Sequence, residues 1–162
     1  MSLTDLTDAI QDLPVSVAIG ESALFGIFEA VHMVGVATLF GSLFMVDLRL
    51  LDLAARRYGV RAMTLELTPW TWAGFGLAAV TGMLMAITNL TDYAANPAFR
   101  LKMLLLVLAL ANMLAFHAGA WRGSARWGEG GATPLAAKIA GGLSLGVWIG
   151  VICAGRWIAF TG

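Results

Sequence analysis

The stretch Glu21–Leu51, ESALFGIFEAVHMVGVATLFGSLFMVDLRLL, decides how the rest of the chain is read. Between Ala23 and Val46 it is almost wholly apolar, long enough to cross a bilayer as a helix. Two residues break the pattern, Glu29 and His32. An ionisable group inside a membrane span is costly, so two of them one turn apart need a local reason. Their i, i+3 spacing puts both on one helix face. The stretch closes on Asp47-Leu48-Arg49-Leu50-Leu51, which reads as a charged exit into water.

Composition agrees with a membrane class. Of 162 residues, 59% are hydrophobic and only 12% charged, against about a quarter charged in soluble domains. One cysteine excludes a disulfide framework within one chain. The formal net charge is zero, and nothing points to nucleic acid. The first residues carry Asp5, Asp8 and Asp12 rather than a basic segment, unlike a cleavable signal. Leu3, Leu6, Ile10 and Leu13 follow a helical stripe, which predicts a short amphipathic helix at the membrane surface, stopped by Pro14.

Four spans can be drawn, at about 22–46, 69–90, 97–121 and 134–160, in a single all-α membrane domain covering 1–162. Three of them open alike, on Thr68-Pro69, Asn96-Pro97 and Thr133-Pro134. Thr or Asn can cap a helix, and proline suits its first position. On this reading no proline falls inside a span. The run Gly128 to Thr133 reads as a loop.

Seven bases (Arg49, Arg56, Arg57, Arg61, Arg122, Arg126, Lys138) fall on the first and third connections, and three (Arg100, Lys102, Arg156) on the other side. That bias predicts cytoplasmic first and third connections, with both termini outside. Trp70, Trp72, Trp121 and Trp157 stand near span ends, as interfacial aromatics do. Gly74, Ala78, Gly82 and Ala86 recur every fourth residue, as do Gly142, Gly146, Gly150 and Ala154. Such rows let helices approach closely, or they open space for a flat ligand.

Depth, counted at about 1.5 Å per residue, gathers Glu29, His32, Lys102, Asn112 and Arg156 in the outer half of one bundle. His117 lies roughly 25–30 Å from the outer edge. A b-type haem clamped between His32 and His117 would therefore need ligands mismatched by more than about 10 Å, too much for tilt to absorb. His32 can instead be a lone metal ligand with a different sixth ligand, methionine among the candidates. His117 reads either as a second haem site or as an interfacial histidine bonded to a carbonyl. The Glu29–His32 pair reads either as a helix-packing hydrogen bond or as part of a ligand, proton or electron path, with Glu29 orienting the ring. Di-iron bundles share the Glu-x-x-His spacing, but they need further carboxylates at depth that the other spans lack.

Glu29-x-x-His32-x-x-Gly35, Gly41 and Asp47–Leu51, with Phe99-Arg100-Leu101-Lys102, Asn112 and His117, resemble an uncharacterised bacterial family of small four-helix membrane proteins. The resemblance covers most of the chain. More distantly, the chain is similar to the haem-containing membrane protoporphyrinogen oxidase, with His32 and Lys102 as matching positions, and to copper-resistance D type membrane proteins. It lacks the oxidase's fuller signature around the first helix. These likenesses imply a haem-binding redox bundle in a bacterial inner membrane.

The leading expectation is a cytochrome b-like subunit that binds haem b and passes electrons between quinone and an outer-side partner. His32 would be its axial ligand, tuned by Glu29, with Lys102 and Arg156 on the propionates. The rivals are a non-redox anchor in a larger complex or homo-oligomer, and a small proton- or metal-coupled transporter.

Overall fold

A computed structural model describes residues 3–127 and 133–161. The run 128–132, most of the expected glycine-rich loop, lies outside the described residues. Seven α-helices and two 3-10 segments make up the fold, and no strand occurs among the described residues. Two short helices come first, α1 (Leu3–Gln11) and α2 (Pro14–Gly20). The first long helix, α3, covers Leu24–Leu50, and the second, α4, Val60–Ala86. A 3-10 turn at Ile87–Asn89 continues into α5 (Leu90–Ala95). The third long helix is α6 (Pro97–Ala118); a 3-10 segment, Ala120–Arg126, leads on to the fourth, α7 (Leu135–Thr161). Four segments are long and apolar enough to cross a bilayer. Many large apolar side chains point outward, as lipid-facing residues do, including Ile27, Met33, Leu104 and Ile139. The protein is a multi-pass, all-α membrane bundle.

Three boundaries differ from the sequence reading, each for a physical reason. Pro69 does not open the second span. It lies inside α4, which begins nine residues earlier at Val60. Proline is tolerated within membrane helices more readily than in soluble ones, and the helix runs on through Pro69 although its missing N–H leaves Leu65 O without the usual partner. Pro14 does more than stop α1, since it supplies the first position of α2. Asp47 and Arg49 do not exit into water. α3 carries both, and they are only 4% and 1% exposed. Asn96-Pro97 does behave as expected: the Asn96 carbonyl oxygen accepts from Ala98 N and Phe99 N, capping α6.

The helices pair as α3 with α4 and α6 with α7, and the pairs meet through α3 and α7. Small residues allow the first pairing. A Cβ on Gly74 would stand 2.5 Å from Leu39 N, and one on Gly35 would stand 2.8 Å from Ala78 N. Backbone therefore lies on backbone there, as small residues permit. The Ser42 and Thr71 hydroxyls add a cross-helix hydrogen bond of 2.8 Å. The second small row is looser: Gly150 faces Leu105 of α6, while Gly146 has open space. Asn112 Nδ2 donates to Ala140 O and joins α6 to α7.

Each end of the bundle is tied. At one end α1 docks on α5, where the Thr91 hydroxyl meets Thr7, Asp8 and Gln11. At the other, the Arg49 guanidinium donates to Tyr58 O, Asp52 and Thr133. Lys138 Nζ also reaches Asp52, at 2.8 Å. Asp52 sits in the left-handed region, φ 57°, which Asp adopts more readily than most residues. Burial alone would raise its carboxyl, but hydrogen bonds from Lys138 and Thr133 and the Lys138 charge hold it down to about 2.

Two predictions follow from this packing. Gly74→Val should separate α3 from α4 and cost about 3 kcal/mol, whereas Gly76→Ala, with nothing within 4 Å of its Cβ, should be neutral; thermal unfolding in detergent compares them. Asp52→Asn strips a carboxylate from the buried Arg49 and should cost about 3 kcal/mol. Because the folded-state value is depressed, the wild-type advantage should be complete above pH about 4 and vanish as pH falls through about 2; unfolding midpoints of both proteins against pH check this.

Candidate functional site

A cavity of about 270 Å³ opens where α3, α4, α6 and α7 face one another. It lies in the seam between the two tight pairs, where α4 and α6 make no extensive backbone contact. Its walls are apolar apart from two groups, His32 and Lys102. His32 lies about 12 Å along α3 and Lys102 about 8 Å along α6, counted from the same end of the bundle. Aromatic rings of Phe40, Phe75, Phe99 and Trp148 line the same space.

The α4 row places the histidine. Gly74 and Ala78 take the backbone of α3, and one turn further Gly82 leaves room for the ring, whose Cε1 would stand 3.1 Å from a Cβ there. His32 Nδ1 donates to Ala78 O at 2.8 Å, since a carbonyl can only accept. The Thr81 hydroxyl stands 3.2 Å from the same nitrogen while itself donating to Leu77 O. The same row thus takes the α3 backbone at Gly74 and Ala78 and a side-chain ring at Gly82. In the neutral ring Nε2 carries the lone pair, open to a metal or a hydroxyl hydrogen.

Lys102 faces the cavity from α6, its Nζ 3.5 Å from where a Cβ on Gly155 would stand. Among the described residues it has no ion pair, with Glu29 or any other acid.

The other candidates lie elsewhere. Glu29 is exposed and makes no hydrogen bond to His32, whose ring is held by α4 instead. Arg156 is also exposed, its guanidinium over Phe160 at 5.0 Å. Asn112 is not level with His32. It stands about 22 Å along α6, bonded to Ala140 next to Gly141, which packs on Asp47 and Leu50. The sequence reading, which grouped it with His32, placed it too shallow: fifteen residues from the same Pro97 start carry it about 10 Å beyond the histidine. His117 is near the Arg49 end, its Nδ1 donating to Met113 O and its ring against Trp121. The two histidines do not face one space. No group of three or more His, Cys, Asp or Glu side chains suited to a metal forms among the described residues.

The sequence reading missed Asp47 and Arg49 as buried groups. Asp47 is covered by α7, where Gly141 lies against its backbone. Their signal was the continuing apolar period of Leu48, Leu50 and Leu51 around them.

Haem b, the cofactor the resemblance implies, meets the site only in part. His32 is a suitable ligand, and Met83 and Met103 line the cavity. The space is short, however. Ligand pockets commonly span about 300–1,000 Å³, so this one is small, and an iron porphyrin would need the seam between α4 and α6 to widen.

Fold and site define a four-helix integral membrane protein with a polar-tipped cavity at membrane depth. Residues 17–161 match the family described as "Family of unknown function (DUF6644)", and the chain belongs to that family. No curated protein and no solved structure matches it.

An unpaired ammonium beside apolar walls weakens the ligand-free fold. Lys102→Met should therefore stabilise the empty protein by about 1 kcal/mol, seen as a higher unfolding midpoint; a lower midpoint would show that the ammonium is already satisfied.

Proposed function

We propose that this chain is the membrane subunit of an electron-transfer system, cytochrome b-like in architecture, working between the quinone pool and a partner on the outer side. The observation that carries this reading is the cavity, in which His32 and Lys102 converge from separate helix pairs at membrane depth. Ionisable groups there commonly mark a ligand, proton or electron path. The distant likeness to the haem-containing oxidase, at His32 and Lys102, points the same way.

The proposed setting is a bacterial inner membrane. The connections after α3 and α6 carry most of the bases, which favours the cytoplasm for that end and the outer side for both termini. Because a porphyrin would need the seam to widen, the redox centre that exchanges electrons with quinone belongs on this reading to a partner subunit. The anchor reading is thereby joined to the redox one. Support for docking comes from α3, where Gly26 and Gly41 have open space beside them and Glu29 is exposed. A proton or metal relay from Glu29 to His32 has less support, since no hydrogen bond joins them.

The test uses the native host. Deleting the chain should slow oxidation of membrane quinol, read from the quinone redox state, and wild type should restore it where His32→Ala does not. An unchanged redox state on deletion overturns the reading. Protein purified from haem-replete cells should show no Soret band in proportion to chain; a stoichiometric band lost in His32→Ala would return haem b to this cavity.

A further inference from the structure

We infer that the His32–Lys102 cavity binds the head group of a quinol, the reduced form of a membrane quinone, with its tail in lipid between α4 and α6. The inference deepens the electron-transfer reading and rests on it for its biological sense, though binding can be measured without it. Four features of the site select this ligand.

The first is hydrogen-bond polarity. His32 Nδ1 already donates to Ala78 O, so the neutral ring presents an acceptor at Nε2. Lys102 offers only donors. A ligand satisfying both has a hydroxyl at one point and an acceptor oxygen at another, which a quinol has. A fatty acid suits Lys102 but sets its carboxylate against the Nε2 lone pair. The oxidised quinone has two acceptors and likewise leaves neutral His32 unmatched.

The second feature is the shape and chemistry of the walls. Phe40, Phe75, Phe99 and Trp148 surround the space, and flat rings pack well on aromatic faces. The third is size: about 270 Å³ suits a single substituted ring. The fourth is access, because the cavity lies in the seam between α4 and α6, which lack extensive backbone contact. A lipid-soluble ligand can approach there without crossing either tight helix pair.

The experiment uses the full chain in lipid nanodiscs, titrated with a decyl-tailed benzoquinol and with its oxidised form. Binding should saturate, with the quinol held about tenfold tighter than the quinone. Lys102→Gln and His32→Ala should each weaken quinol binding at least tenfold. Ala79→Leu, which fills the cavity from α4 and leaves both polar groups in place, should do the same while circular dichroism stays unchanged. Equal affinity for all variants overturns the inference. So does competition by oleate that depends on Lys102 but not on His32, which would assign the cavity to anionic lipid. If quinol fails to bind yet deletion still slows quinol oxidation in membranes, the ligand assignment falls and the electron-transfer reading stands. If quinol binds as expected and deletion changes nothing, the electron-transfer reading falls alone.

Discussion

The backbone contact between α3 and α4 governs this molecule. Gly35 meets Ala78, and Gly74 meets Leu39, closer than any side chain larger than hydrogen permits. In lipid there is no hydrophobic force to press two helices together, so close packing and hydrogen bonds have to do it. The contact also fixes rotation and register. Gly35 is one turn beyond His32 on α3, and Ala78 is one turn before Gly82 on α4. Once the first pair touches, the imidazole is delivered to the Ala78 carbonyl and laid over Gly82. Packing and ligand geometry are thus one arrangement.

Charge is handled in two opposite ways. At one end the Arg49 guanidinium is deeply buried but has Tyr58 O, Asp52 and Thr133 around it, and Asp52 is shared with Lys138. A buried charge of that kind is tolerable because a carboxylate and hydrogen-bond acceptors take over much of what water supplied, although its second terminal nitrogen has no hydrogen-bond partner among the described residues. Lys102 has no such partner among the described residues, although Glu29 stands toward the same end of the bundle. Had the chain needed only stability, a pairing like that of Arg49 would have been available. The two cations differ in that Arg49 has a carboxylate against it and Lys102 has none among the described residues.

Much of this was legible from sequence, and the failures have identifiable causes. The spans, the Asn96 cap and the placement of His32 and Lys102 toward one end of the bundle follow from hydropathy, capping chemistry and depth. Pro69 misled because proline at a helix start and proline inside a membrane helix look alike in sequence. Asp47 and Arg49 misled because charge after an apolar run normally means water, and their burial depends on Thr133 and Gly141, distant in the chain. Glu29 and His32 share a helix face in projection, yet whether they bond depends on what α4 offers the ring. Periodicity along α3 cannot say that.

The cavity itself is the last thing to explain. On α4, Ala78, Ala79, Gly82 and Ala86 present little volume toward α6. Larger apolar residues would fill the space and recover dispersion contacts that an empty site forgoes. The chain is rich in leucine and methionine elsewhere, so composition does not limit it. Only one residue of this row, Gly82, is needed to seat the histidine, and Ala78 is needed against Gly35; Ala79 and Ala86 serve neither contact. Both border the space. Unfilled volume and an unpaired ammonium each weaken the fold, and they occur at the same place. Two independent costs that coincide, and that one ligand would relieve together, are better explained by binding than by loose packing.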